Sequence, residues 1–180
     1  MSEIILPTPL RIVDLTMDDG AIIRLRQHGN SDGPRLILAH GNGFAIDAYF
    51  PFWSLLASQY ELIIYDQRNH GQNPLHDDIS HHDIPYFVTD MDTVLDKTTE
   101  VFGTKPTAGL FHSISAVTAV WHALSKGWRW DALILFDPPL VPDPGHPLNE
   151  IAKSFELMLS DWSKDRPERF PNPETLAKQF

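Results

Sequence analysis

Cysteine is absent from all 180 residues, which removes disulfide frameworks, thiolate metal sites and thiol nucleophiles together. Long apolar runs are absent as well. No stretch approaches the roughly 18 uncharged apolar residues that a membrane helix needs. Basic residues are few, 14 Lys and Arg against 24 Asp and Glu, for a formal charge of −10. A surface of that sign repels phosphate backbones and anionic lipid heads, so neither nucleic acid nor a membrane is an expected partner. The amino terminus carries Glu3 where an export signal needs basic residues, and Pro7 and Pro9 interrupt its short apolar run. It lacks the pattern of a secretion signal, and the default expectation is a cytoplasmic protein.

What remains is a chain of ordinary hydrophobic content, 42%, long enough for one well-buried core. Apolar and polar residues alternate over 11–17 and 21–27 around Asp18-Asp19-Gly20, the pattern of a hairpin. Four later runs are nearly continuous: RLILA (35–39), ELIIY (61–65), TAGLF (107–111) and ALILF (132–136). Such runs suit strands buried on both faces of a parallel sheet. The segments between them, 45–58, 84–102 and 113–125, are long enough for helical crossovers. In the second, Phe87, Met91, Val94 and Leu95 follow helical spacing, with Asp90, Asp92 and Asp96 expected to face water. The implied fold is α/β, a mostly parallel sheet with an antiparallel first hairpin and helices on both faces. After Asp137 five prolines crowd a short loop before Asn149 resumes a helical pattern with an apolar stripe at Ile151, Phe155, Met158, Leu159 and Trp162.

Ligands in open parallel sheets collect at the carboxyl ends of strands. Three such ends carry suggestive residues: His40-Gly41-Asn42-Gly43 after RLILA, Asp66-Gln67-Arg68-Asn69-His70-Gly71 after ELIIY, and His112-Ser113-Ile114-Ser115 after TAGLF. In this order and spacing they resemble the α/β-hydrolase superfamily, in its serine-nucleophile branch. The resemblance implies that Ser113 is the nucleophile on a strained strand-to-helix turn. His112 matches the histidine that often precedes that serine. The His40-Gly41-Asn42-Gly43 segment is similar to the loop whose amides, here those of Asn42 and Ile114, hold the oxyanion, with His40, Gly41 and Gly43 shaping it. Asp66 and Arg68 are implied to be scaffolding. Phe111 and Ser115 replace the usual glycines of the turn, so Phe111 is expected to point away from the following helix or the turn to open slightly. Read without the resemblance, Ser113 is a helix cap, a role that serine favours.

The family's remaining partners follow the nucleophile in the chain as acid, then histidine. Asp137 occupies an early acid position, with a plain strand-ending turn as the competing reading. His146 lies in the proline-rich loop and is an unsuitable base. The expectation is therefore an incomplete α/β-hydrolase fold, its core over 1–140 and the beginning of a helical cap over 141–180, truncated before the catalytic histidine. The last strand would leave an exposed apolar edge. The implied activity is hydrolysis of an ester or similar activated carbonyl in a small molecule, with no cofactor, and the fragment itself inactive. Serine argues against dehalogenases and epoxide hydrolases, whose nucleophile is aspartate, but does not separate esterases from carbon–carbon bond hydrolases or cofactor-free haloperoxidases. The alternative is a non-catalytic binding protein on the same scaffold. His76, Asp77, Asp78, His81, His82 and Asp83 cluster in a predicted loop; their irregular spacing reads as a solvated polar segment rather than a metal site.

Overall fold

The computed structural model describes residues 5–164, with the side chains of residues 162 and 163 left aside. Of these, the residues up to Pro139 form one unit and those from Leu140 a second.

The hairpin is present as β1 (Arg11–Thr16) and β2 (Ile22–Gly29), paired antiparallel around a turn in which Asp19 accepts the Ala21 amide. The continuous runs become β3 (Arg35–Ala39), β4 (Glu61–Tyr65), β5 (Thr107–His112) and β6 (Ala132–Phe136). They assemble in the order β1-β2-β4-β3-β5-β6. From β4 to β6 all pairs are parallel, and only β1–β2 and β2–β4 are antiparallel.

Alternate residues of the central strands explain why their sequences lack a polar face. Ile37, Ala39, Ile63 and Tyr65 join a core with Met91, Val94, Ala116 and Ala119, while Leu36, Leu38, Leu62 and Ile64 pack on Ile46 and Trp53 on the opposite side. The first side is covered by α2 (Ile84–Phe102) and α3 (Ile114–Lys126). The second is covered by a 3-10 turn (Ile46–Tyr49) and α1 (Phe50–Trp53). The expected crossover helix over 45–58 thus contracts to about one turn of α-helix flanked by tight turns. At β6 the cover is one-sided. Leu133 and Leu135 pack on the core, whereas Ile134 and Phe136 are each 43% exposed.

The water-facing expectation for Asp90 is corrected. Asp92 and Asp96 are half-buried and exposed, but Asp90 is only 3% exposed. Its carboxylate accepts two hydrogen bonds from Arg68, at 2.7 Å from Nε and 2.6 Å from Nη2. A buried carboxylate is tolerated there because its countercharge is fixed in bidentate geometry. Arg68 also reaches Asp19 at 2.7 Å and the His81 carbonyl at 3.2 Å. It therefore ties the hairpin turn to α2.

In the second unit α4 spans Asn149–Lys164. Ile151, Phe155, Met158 and Leu159 of its stripe are exposed; Trp162 lies outside the described side chains.

Candidate functional site

β5 ends and α3 begins at Ser113, whose backbone sits at φ 53°, ψ −118°. This is a left-handed setting that a residue with a Cβ adopts only under strain. The helix-cap role is overturned, because the Ser113 side chain makes no capping hydrogen bond. Its amide instead donates to the Phe136 carbonyl of β6 at 2.9 Å. The hydroxyl has no hydrogen-bond partner among the described residues, and the residue is half-exposed.

Phe111 does not point away from α3. It is fully buried in the same core as Ala116 and Ala119, with its ring 5.3 Å from that of Trp130. Room comes from Gly109, where an added Cβ would lie 2.5 Å from the Phe111 ring. Ser115, standing in the other glycine position, is also buried. Its hydroxyl donates to the His40 carbonyl and accepts from Gln67 Nε2 at 2.8 Å. The larger residue therefore pins the start of α3 to the loop after β3.

That loop approaches Ser113 closely. A Cβ at Gly41 would lie 3.0 Å from the Ser113 Cβ and 2.7 Å from His112 Nδ1, so only glycine fits. Gly41 donates its amide to the Tyr49 hydroxyl at 3.1 Å, and Gly43 donates to His70 Nε2 at 3.2 Å. The amides of Asn42 and Ile114, between and beyond these contacts, have no partner among the described residues. His40 is fully buried, donating from Nδ1 to the Gly41 carbonyl at 2.7 Å and accepting the Gln67 amide on Nε2 at 3.0 Å. Asp66 accepts the Ile46 amide at 2.7 Å and the Gln72 amide at 3.2 Å, fixing where the loop leaves the sheet. Asp66 and His40 thus brace this loop, whereas Arg68 ties the hairpin turn to α2. Asp137 follows β6 at φ 46° and is exposed.

Three participants were not singled out by sequence. Tyr49 bonds both Gly41 and, at 2.6 Å, His112 Nδ1; His70 holds Gly43; Gln67 holds Ser115. The signal for Tyr49 was slight, an aromatic a few residues beyond the glycine-rich loop.

Burial controls the charges. It holds His40 down at about 4, against Gly41's opposing hydrogen bond, and holds His28 down at about 4 as well. The unfolded rings would titrate near the ordinary 6.5. Between those values the unfolded chain binds protons that the folded rings refuse. Stability from this source is therefore complete above pH 6.5 and falls as pH drops toward 4, by up to about 1.4 kcal/mol per pH unit for each histidine. Burial raises Asp66 and Asp90 and opposes the trend at its acid end. His28→Phe is expected to make the slope of unfolding free energy against pH shallower, as read by urea titrations at pH 7, 6 and 5. His28 Nε2 is buried without a partner beside Trp53, so phenylalanine removes an unsatisfied atom and keeps the ring contact.

Asp19, His76 and His81 bring three ligand-type atoms within 4.8 Å of one another. The two imidazoles are stacked 5.6 Å apart with 17° between their planes, so their in-plane lone pairs do not converge on one point. His81 Nδ1 lies 2.8 Å from the Asp19 carboxylate, and His76 Nε2 donates to the Asp19 carbonyl at 3.0 Å. The group clasps the 76–82 loop to the hairpin turn.

The family model described as serine aminopeptidase, S33 matches residues 31–173. "Probable oxidoreductase EphD" of Mycobacterium tuberculosis and of Mycobacterium bovis is 28% identical over 141 residues, 78% of this chain and 23% of that protein. The chain thus spans about a quarter of the length of these curated relatives. Among solved structures, a hydrolase from Pseudomonas aeruginosa PA01 superposes with a TM-score of 0.64 at 20% identity, over 94% of this chain and 66% of its own. Epoxide hydrolase A from Mycobacterium thermoresistibile gives 0.61 at 23%, over 82% and 45%. The thioesterase domain from the curacin biosynthetic pathway gives 0.65 at 20%, over 83% and 54%. At these identities the superpositions establish the fold. The family match runs from before β3 past the end of α4, and by it the chain belongs to the serine aminopeptidase, S33 family of α/β-hydrolases.

Proposed function

We propose that this chain carries the nucleophile and the oxyanion loop of a serine hydrolase acting on an ester or similarly activated carbonyl of a small molecule. The observation that carries the reading is the Ser113 turn. A strained backbone presents a hydroxyl, and the backbone of Gly41 lies against it; among the described residues neither that hydroxyl nor the neighbouring Asn42 and Ile114 amides have a hydrogen-bond partner. Strain and unsatisfied donors each cost stability, and a chemical step would use both.

In that step Ser113 Oγ attacks the carbonyl carbon and its proton passes to a base. The carbonyl oxygen, now negative, is held by the two amides. A single oxyanion donor contributes about 3 kcal/mol to the transition state. Collapse of the tetrahedral intermediate expels the alcohol, which takes the proton, and leaves an acyl-enzyme that water cleaves. The base in such a step is a histidine; His40 and His70 are poorly suited to it, because both ring nitrogens of each are engaged. Asp137 is the acid candidate within the chain. It directly follows Phe136, whose carbonyl binds the Ser113 amide. In this reading the unit up to Pro139 is the catalytic core and the helical segment that follows belongs to a cap.

The test is covalent. The protein in its natural full length, treated with a fluorophosphonate probe, is expected to gain one adduct on the peptide containing Ser113, and Ser113→Ala to gain none. A folded full-length protein that stays unlabelled would favour the binding-protein reading.

A further inference from the structure

The loop that approaches Ser113 closes on itself as a turn. Phe44 donates its amide to the Gly41 carbonyl at 3.2 Å, and Gly43, third of the four residues, sits at φ 75°. These are the marks of a type II turn, which differs from type I by rotation of its central peptide, here Asn42–Gly43. The direction of the Gly43 N–H reports which way that peptide faces. It points at His70 Nε2, 3.2 Å away. On the other side of the ring, Nδ1 lies 2.9 Å from the Arg68 carbonyl. Both partners are backbone groups with fixed roles, since an amide only donates and a carbonyl only accepts. His70 is therefore bound as the neutral ring with its proton on Nδ1.

We propose that His70 is a positioning residue for the serine chemistry: its unprotonated Nε2 holds the Asn42–Gly43 peptide in one orientation, and a proton taken up there releases the turn and slows attack by Ser113. The inference rests on Asn42 supplying an oxyanion amide, and adds regulation of that same site by acid. A second proton on His70 has one place to go, Nε2, where it would meet the Gly43 N–H donor to donor. The bond is then lost and the peptide is free to rotate. The adjoining Asn42 amide is held in position for only part of the time. The groups facing the ring are His40 on the loop after β3, with 5.0 Å between ring centroids, His82, stacked at 5.3 Å, and Asp66 at the end of β4. Burial holds His40, His70 and His82 below the ordinary range for histidine, on His70 against the pull of the Arg68 carbonyl and Asp66. The three rings are thus neutral at pH 7, and the switch acts on the acid side.

The test uses the protein in its natural full length. Long-range ¹H–¹⁵N spectra at pH 7 should show His70 in the Nδ1–H form. On acidification the Gly43 amide resonance should move with the same midpoint as the His70 ring. Fluorophosphonate labelling of Ser113 is then timed across that pH range and divided by the rate of His70→Gln, whose amide oxygen can accept from Gly43 but takes up no proton there. The ratio cancels the titration of the base. It should be level above the His70 midpoint and fall by about five- to tenfold below it, the worth of one hydrogen bond. His70→Phe, with no acceptor, should label about five- to tenfold more slowly than His70→Gln at every pH. An Nε2–H ring, a Gly43 amide indifferent to the His70 titration, or a ratio level throughout would overturn the proposal. A folded wild type that shows the coupled Gly43 titration yet never labels would instead support the loop switch and overturn the serine reading.

Discussion

Ser113→Gly is expected to abolish fluorophosphonate labelling and, at the same time, to make the protein more stable by about 1 kcal/mol. The left-handed backbone at Ser113, φ 53° and ψ −118°, costs a residue with a Cβ on the order of 1–3 kcal/mol. Glycine removes that strain but gives back roughly 0.5–1 kcal/mol through the greater freedom of the unfolded chain. Because the Ser113 hydroxyl bonds nothing in the described structure, deleting it forfeits no contact. Ser113→Ala separates the two effects: it loses the hydroxyl and keeps the strain, so its urea midpoint should match the wild type while its labelling also vanishes. If Ser113→Gly proves less stable than Ser113→Ala, the turn is not strained and the argument from stored strain to function is wrong.

Arg68→Met should cost about 3–5 kcal/mol of unfolding free energy, because it leaves the buried Asp90 carboxylate without its countercharge. The guanidinium makes two bonds to Asp90 and one to Asp19, and lies 4.9 Å above the Tyr86 ring. Methionine replaces the volume but none of the donors. Asp90→Leu combined with Arg68→Met should recover a substantial part of the loss, since a buried pair exchanged for apolar groups is often close to neutral. Equilibrium urea unfolding of the two single variants and the double closes this cycle. Additive losses would mean that Asp90 is hydrated, and that Arg68 acts through Asp19 and the hairpin alone.

Both predictions concern residues that the sequence marked but described incompletely. Arg68 was legible as scaffolding, yet its partner was not, because Asp90 sits on a helix beside Asp92 and Asp96 and all three look alike in a periodic pattern. Only the approach of the strand-end arginine selects one of them for burial. Phe111 was expected to avoid α3, or the turn to open slightly, because glycine is missing from the turn. The structure makes space one position further back, at Gly109, which no local rule about the turn would indicate. The crossover after β3 was expected to be a longer helix. Its residues are used instead for a 3-10 turn and a single helical turn that bring Tyr49 and Trp53 against the sheet.

What sequence alone determined is the set of facts that follow from periodicity and local stereochemistry. These are the hairpin, the central strands with no polar face, the two long crossover helices, and hence a mostly parallel α/β sheet whose strand ends gather the conspicuous residues. Those follow because burial on two faces or one imposes a repeat that neighbouring residues must obey. Tertiary structure alone decided which polar groups meet: Arg68 with Asp90, Ser115 with His40, Tyr49 with His112, and the clasp of Asp19 with His76 and His81. Such pairs join segments from different loops and helices, and the energy that selects them arises only when folding removes water from both partners.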